Sequence, residues 1–130
     1  MQIWLSLLQN FRPDAAKKTV VSRARNDAVA RASMTYVQAH YKEEITIDSI
    51  AEAVHYSPGE CCRLFKRVTH DTIFSYIRLY RITQASKLLR ETGLSVEDIA
   101  TECGFASASY FISAFKKCLK TTPLRYRNGA

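Results

Sequence analysis

Two pairs of adjacent cations, Lys66-Arg67 and Lys116-Lys117, stand 50 residues apart, each directly after a phenylalanine, Phe65 or Phe115. Just ahead of the first pair is Arg63, one residue before the apolar Leu64. Its forked guanidinium suits the O6 and N7 acceptors of a guanine, held together. Cation pairs at matched places suit phosphate oxygens, which attract charge but carry no sequence information. Nothing comparable serves catalysis: there is no Gly-rich phosphate loop, no persuasive carboxylate pair and no Ser or Cys with a nearby His base. No catalytic residue is expected, and Asp48 and Glu97 are accounted for by helix N-terminal dipoles.

The four cysteines, Cys61, Cys62, Cys103 and Cys118, invite a metal reading. Adjacent Cys61 and Cys62 would point about 100° apart on a helix, and neither a CxxC nor a close His pair is present. No metal and no cofactor is expected. The opening Met-Gln-Ile-Trp-Leu-Ser-Leu-Leu lacks a basic segment of the secretory kind, so the thiols are read as reduced.

The 130 residues carry a net charge of +7, with 47% apolar and 24% charged side chains, 4 Gly and 3 Pro. That composition excludes a disordered tail and a loop-rich scaffold, and no apolar run is long enough for a membrane span. A helical cytoplasmic protein without membrane contact is expected. The basic balance fits an anionic partner, nucleic acid first, with a solvated basic surface as the other reading.

The elements that would hold these residues follow from periodicity and caps. Residues 1–25 read as an N-terminal appendage or linker, the remnant of an upstream module or a local helix that packs back on the body, with a short apolar stretch ending at Pro13 and a basic run from Lys17 to Arg25. Val29, Met34, Val37 and Tyr41 predict a first helix over about 27–41. Thr46 caps a short helix with Ile47, Ile50, Ala51 and Val54 on its apolar side. Ser57-Pro58-Gly59-Glu60 forms a capping box with Pro at the first helical position, and Leu64, Phe65 and Val68 follow at core spacing. The longest pattern, 72–92, offers Phe74, Ile77, Ile82, Ala85, Leu88 and Leu89 to a core, and Gly93 closes it.

The sequence then repeats. Thr46-Ile47-Asp48-Ser49-Ile50-Ala51 is answered by Ser95-Val96-Glu97-Asp98-Ile99-Ala100 at an offset of 49, which becomes 50 beyond the turn, so that Ser57 answers to Ser107 and Phe65-Lys66 to Phe115-Lys116. Thr122 with Pro123 opens a final short helix. A capped apolar helix, a tight turn and a second helix with one free side is the layout of a helix-turn-helix, here in two copies. The matched cations favour two DNA-reading units. The competing reading is a helical protein-interaction module with an incidental basic surface.

Taken together, Ile50-Ala51-Glu52-Ala53-Val54, Ser57-Pro58, Arg63-Leu64-Phe65-Lys66, Arg81-Ile82 with Ala85 and Leu88-Leu89, Ile99-Ala100, Gly104-Phe105, Ser109-Tyr110-Phe111, Phe115-Lys116-Lys117 and Thr122-Pro123-Leu124-Arg125-Tyr126-Arg127 resemble the DNA-binding domain of AraC/XylS-type bacterial transcription regulators. The resemblance covers about residues 27–127. It implies an all-α fold of seven helices in which two helix-turn-helix subdomains, 26–71 and 93–130, are joined by a long central helix, 72–92, and place their second helices in successive major grooves. About 20 helical residues at roughly 1.5 Å each span ~30 Å, close to the ~34 Å between such openings.

The resemblance also carries base reading onto Gly59, Cys62 and Arg63 in the first unit and Ala108, Ser109, Ile112 and Ser113 in the second. Family members often have a larger residue at the Gly59 position and an arginine at the Ser113 position. Phosphate contact is expected from Lys66, Arg67, Lys116 and Lys117, and from Arg78 and Arg81 on the central helix, where intramolecular pairing is the alternative. Net charge runs from −1 over 45–71 to +3 over 72–94 and +2 over 95–130, so phosphate attraction leans on the bridge and the second half. The partners implied are double-stranded DNA and RNA polymerase, as in activation, and the chain is expected to be part of a longer regulator with an effector or dimerisation module.

Several residues have simpler readings. Glu60 can accept from a cytosine N4, but as third residue of a capping box it more simply caps its own helix. Cys62 reads as a small neutral contact, Cys103 and Cys118 as core or surface thiols, and His55 and His70 as turn residues.

Overall fold

The computed structural model describes residues 13–129. They form seven helices and no strand: α1 Pro13–His40, α2 Ile47–Val54, α3 Pro58–Thr69, α4 Ile73–Glu91, α5 Val96–Glu102, α6 Ala108–Leu119 and α7 Pro123–Arg127.

Helix α1 starts much earlier than the apolar period predicts. The expected linker 1–25 is helical from Pro13 onward, while residues 1–12 lie outside the described residues. After Pro13 the segment to His40 holds no glycine or further proline to break it, and a polar helix shows no apolar stripe by which to be recognised. From Val29 onward α1 has a core side, with Val29, Ala30, Ser33 and Val37 buried. The buried Ser33 hydroxyl is satisfied by donating to the Val29 carbonyl at 2.9 Å.

Every later helix begins on a Ser or Thr whose hydroxyl accepts an otherwise unpaired N–H of the first turn: Thr46, Ser57, Thr72, Ser95, Ser107 and Thr122. The box at Thr46 is reciprocal, because Ser49 accepts from the Thr46 backbone N–H in return. The box expected at Ser57 is only half made. Ser57 accepts from the Glu60 N–H, but the Glu60 carboxylate takes the Ser57 hydroxyl at 3.4 Å rather than the backbone N–H. Nor is Gly93 the cap of α4; Thr92 is, in extended conformation, with its N–H donating to the Leu88 carbonyl.

Two cores result. The first gathers Ala30, Val37, Ile50, Ala51, Cys61, Phe65, Ile73 and Ile77, and the second Ile82, Ala85, Leu89, Ile99, Ala100, Cys103, Phe105, Phe111, Ala114 and Phe115. Helix α4 belongs to both, its first two turns to one and its later turns to the other. At about 100° per residue these buried positions lie on roughly opposite sides of α4, so its apolar residues form no single stripe. For that reason Phe74 is not in the core as expected; it is 58% exposed, whereas Ile73 is buried.

The repeat is visible in the backbone as well. His55 and Gly104, after α2 and α5, are left-handed at φ 63° and 84°, and His70 and Lys120, after α3 and α6, at 64° and 62°. Each unit is tied by an arginine. Arg81 of α4 donates to the Tyr41 and Glu43 carbonyls just past α1, and Arg127 of α7 donates to the Leu89 and Thr92 carbonyls at the end of α4. Both place positive charge at a helix C-terminus, where the backbone dipole favours it.

Candidate nucleic-acid interface

Helices α3 and α6 turn the same face inward. Cys61, Leu64 and Phe65 of α3, and Phe111, Ala114 and Phe115 of α6, are buried, which leaves the remaining side of each helix to solvent. On α3 that side holds Gly59, Arg63, Lys66 and Arg67, all exposed, with Cys62 half-buried among them. On α6 it holds Ser109, Ile112, Ser113, Lys116 and Lys117, all exposed, with Ala108 half-buried at the first helical position. At the offset of 50, Arg63 and Ser113 occupy the same register, as do Cys62 and Ile112, and the two cation pairs.

Arg63 is tethered only weakly. Its Nη2 stands 3.9 Å from Glu60 Oε2, both side chains being more than half exposed, and a pair of that kind contributes about 0–1 kcal/mol. The guanidinium can therefore exchange that partner for a base edge. A side chain at Gly59 would meet nothing within 4 Å, so this corner of α3 is open. Ile112 also borders an apolar cleft of about 510 Å³, with Val96, Pro123 and Leu124.

On the central helix the two arginines make contacts within the molecule. Arg81 is held inside the molecule, Nε donating to the Tyr41 carbonyl at 2.9 Å and Nη2 to the Glu43 carbonyl at 2.8 Å. Burial lowers its pKa, the mark of a charge drawn partly out of water. Two of its donor groups are thus committed to backbone, which is intramolecular pairing of the kind weighed against phosphate contact. The acceptors are main-chain carbonyls rather than acidic side chains, which is why charge pairing in the sequence does not reveal them. Arg78 is half-buried, its Nη2 donating to Ser75 Oγ at 3.4 Å. It lines a cleft of about 130 Å³ between the two units with Ile45, Phe74, Ile77, Arg81, Phe105 and Tyr110.

Tyr110 is a surface residue that sequence reasoning passed over. It is 47% exposed, its ring leaning on Phe105 at 5.8 Å between centroids. Its register matches that of Glu60 on α3, a signal present in the repeat itself. The thiols divide by depth. Cys61 and Cys103 are fully buried and Cys62 and Cys118 are half-buried. Burial, reinforced by Glu102, pushes the Cys103 thiol up to about 11. Among the described residues no group of three or more His, Cys, Asp or Glu is placed to hold a metal ion, and no helix is long and apolar enough to cross a membrane.

Two capped helix pairs in matched register, each with a polar and partly cationic side facing away from its core, define a double helix-turn-helix DNA-binding domain. Residues 50–129 match the family model described as a helix-turn-helix domain. The chain is 39% identical over 94 residues to the HTH-type transcriptional regulator YdeC of Bacillus subtilis, covering 72% of this chain and 32% of that protein. It is 34% identical over 122 residues to the bifunctional transcriptional activator/DNA repair enzyme AdaA of the same organism, covering 94% of this chain and 58% of AdaA. An AraC-type transcriptional regulator structure from Chromobacterium violaceum superposes with a TM-score of 0.75 at 28% identity, covering 81% of this chain and 94% of that one. The chain belongs to the AraC-type helix-turn-helix family, the DNA-binding part of transcription regulators. It spans about a third of YdeC and under two thirds of AdaA.

Proposed function

We propose that the chain binds a specific double-stranded DNA site with α3 and α6 in successive major grooves, and that its two units divide the work unequally. The carrying observation is the shared register of Arg63 and Ser113. On the first unit's exposed side the position holds a guanidinium able to fork onto a guanine, worth about 1–3 kcal/mol against a wrong base. On the second it holds a hydroxyl, flanked by Ala108, Ser109 and Ile112, which suit a thymine methyl or a water-mediated bond. Gly59 leaves α3 room to approach, and Cys62 offers a small neutral contact. Lys66, Arg67, Lys116, Lys117 and Arg78 supply phosphate contacts that set affinity and register.

The short share of YdeC and AdaA that the chain covers supports a larger regulator in which an effector or dimerisation module accompanies this domain in the cytoplasm. AdaA, a transcriptional activator, supports RNA polymerase as the protein partner. The domain has no catalytic role in this reading. Selection of bound sites from random duplexes, followed by salt titration of the selected site, tests the proposal. Strong sequence preference under the first unit and steep loss of affinity with salt are expected. Salt-independent or absent duplex binding would instead favour a helical protein-interaction module.

A further inference from the structure

The contacts around Arg81 join more than one unit. Tyr41, just past α1, packs against both cores, and its carbonyl accepts from Arg81 Nε. Gly104, which follows α5 in the second unit, presses on the same carbonyl: a Cβ there would overlap the Tyr41 oxygen and stand 3.0 Å from Arg81 Nε. Beside them Lys42 Nζ reaches Glu102 Oε2 at 3.7 Å, from the end of α1 to the end of α5. The chain thus brings the close of α1, the middle of α4 and the close of α5 to one point. Arg81 sits there between Ile77, the last α4 residue of the first core, and Ile82, the first of the second. Arg127 makes the same double donation at the end of α4, but within the second unit alone.

From this geometry we infer that Arg81 is a positioning residue for DNA recognition, a clasp that fixes α3 relative to α6 and so sets the separation of half-sites the domain accepts. A planar guanidinium donating to two carbonyls in fixed directions restrains rotation as well as distance, and the missing Cβ at Gly104 lets the second unit close on it. The bridge helix by itself sets a length; the clasp sets the angle between the units. The inference rests on the two-groove reading proposed above.

The test uses the 130-residue chain with the selected site lengthened or shortened by one and two base pairs between its halves. Each inserted pair turns one half-site about 34–36° relative to the other. The unaltered protein should lose about fivefold or more in affinity per step, the scale of one lost base contact. Arg81→Ala should bind the best site more weakly and flatten the spacing preference below about twofold, whereas Arg127→Ala should keep the preference. Without DNA, residual dipolar couplings of the two units should fit one alignment tensor in the unaltered protein and in Arg127→Ala, and two in Arg81→Ala. Arg81→Lys, which retains the charge but lacks the fork, should show the same separation if the alanine variant does not fold. A steep spacing preference or a single tensor in the Arg81 variants would overturn the clasp. If the unaltered protein bound no duplex, the two-groove reading would fall, and the couplings would still decide whether Arg81 holds the units together.

Discussion

His55 and Gly104 occupy the same left-handed turn of the two repeats, at φ 63° and 84°, yet a side chain fits only at the first, because the Tyr41 carbonyl closes the second. Gly104→Ala should therefore destabilise the chain by more than the roughly 1–2 kcal/mol of a left-handed alanine, since the Tyr41 backbone must also move. His55→Gly should change stability by less than about 1 kcal/mol. Denaturant unfolding of the two variants measures both; equal effects would refute the assignment.

Removing the fork of Arg63 should erase preference at one base pair under the first unit. Arg63→Ala should lower the ratio of specific to unrelated DNA binding by about 1–3 kcal/mol, with affinity for unrelated DNA nearly kept. Ser113→Arg should add a preference in the other half of the site. Competition binding against single-base variants of the selected site reads both changes.

Arg78→Ala and Lys116→Ala should weaken binding to specific and unrelated duplexes alike, and each should reduce the slope of log affinity against log salt by about 1. An unchanged slope for Arg78→Ala would confine that residue to its contact with Ser75.

Cys62 and Cys118 should react with a small aromatic disulfide in the native protein, while Cys61 and Cys103 remain protected. Both protected thiols are fully buried, and burial raises their pKa values, so little nucleophilic thiolate is present at neutral pH. The number of thiols titrated before and after unfolding checks this, with two and four expected.

Much of this architecture is legible from short-range chemistry. Thr46, Ser95 and Thr122 announce their helices because a cap depends on residues three positions apart, and the repeat pairs Phe65 with Phe115 before any packing is seen. Three features escape for physical reasons. The start of α1 is polar and leaves no periodic trace. Phe74, expected in the core, is exposed because α4 changes its buried side between one core and the next. Arg81 is anchored to main-chain carbonyls 40 and 38 residues earlier, and a backbone acceptor has no residue type by which to be recognised. The exposed side proposed for binding can be followed in the register of Arg63 with Ser113, whereas Tyr110 is found only when that register is followed across α6.

Hydroxyl-radical footprinting of the 130-residue chain on its selected duplex tests directly whether α3 and α6 occupy two grooves at once. A single protein molecule should protect backbone flanking two successive major grooves on one side of the duplex, over about two helical turns. Protection of one turn only, or none at ~50 mM salt where phosphate contacts are strong, would contradict it.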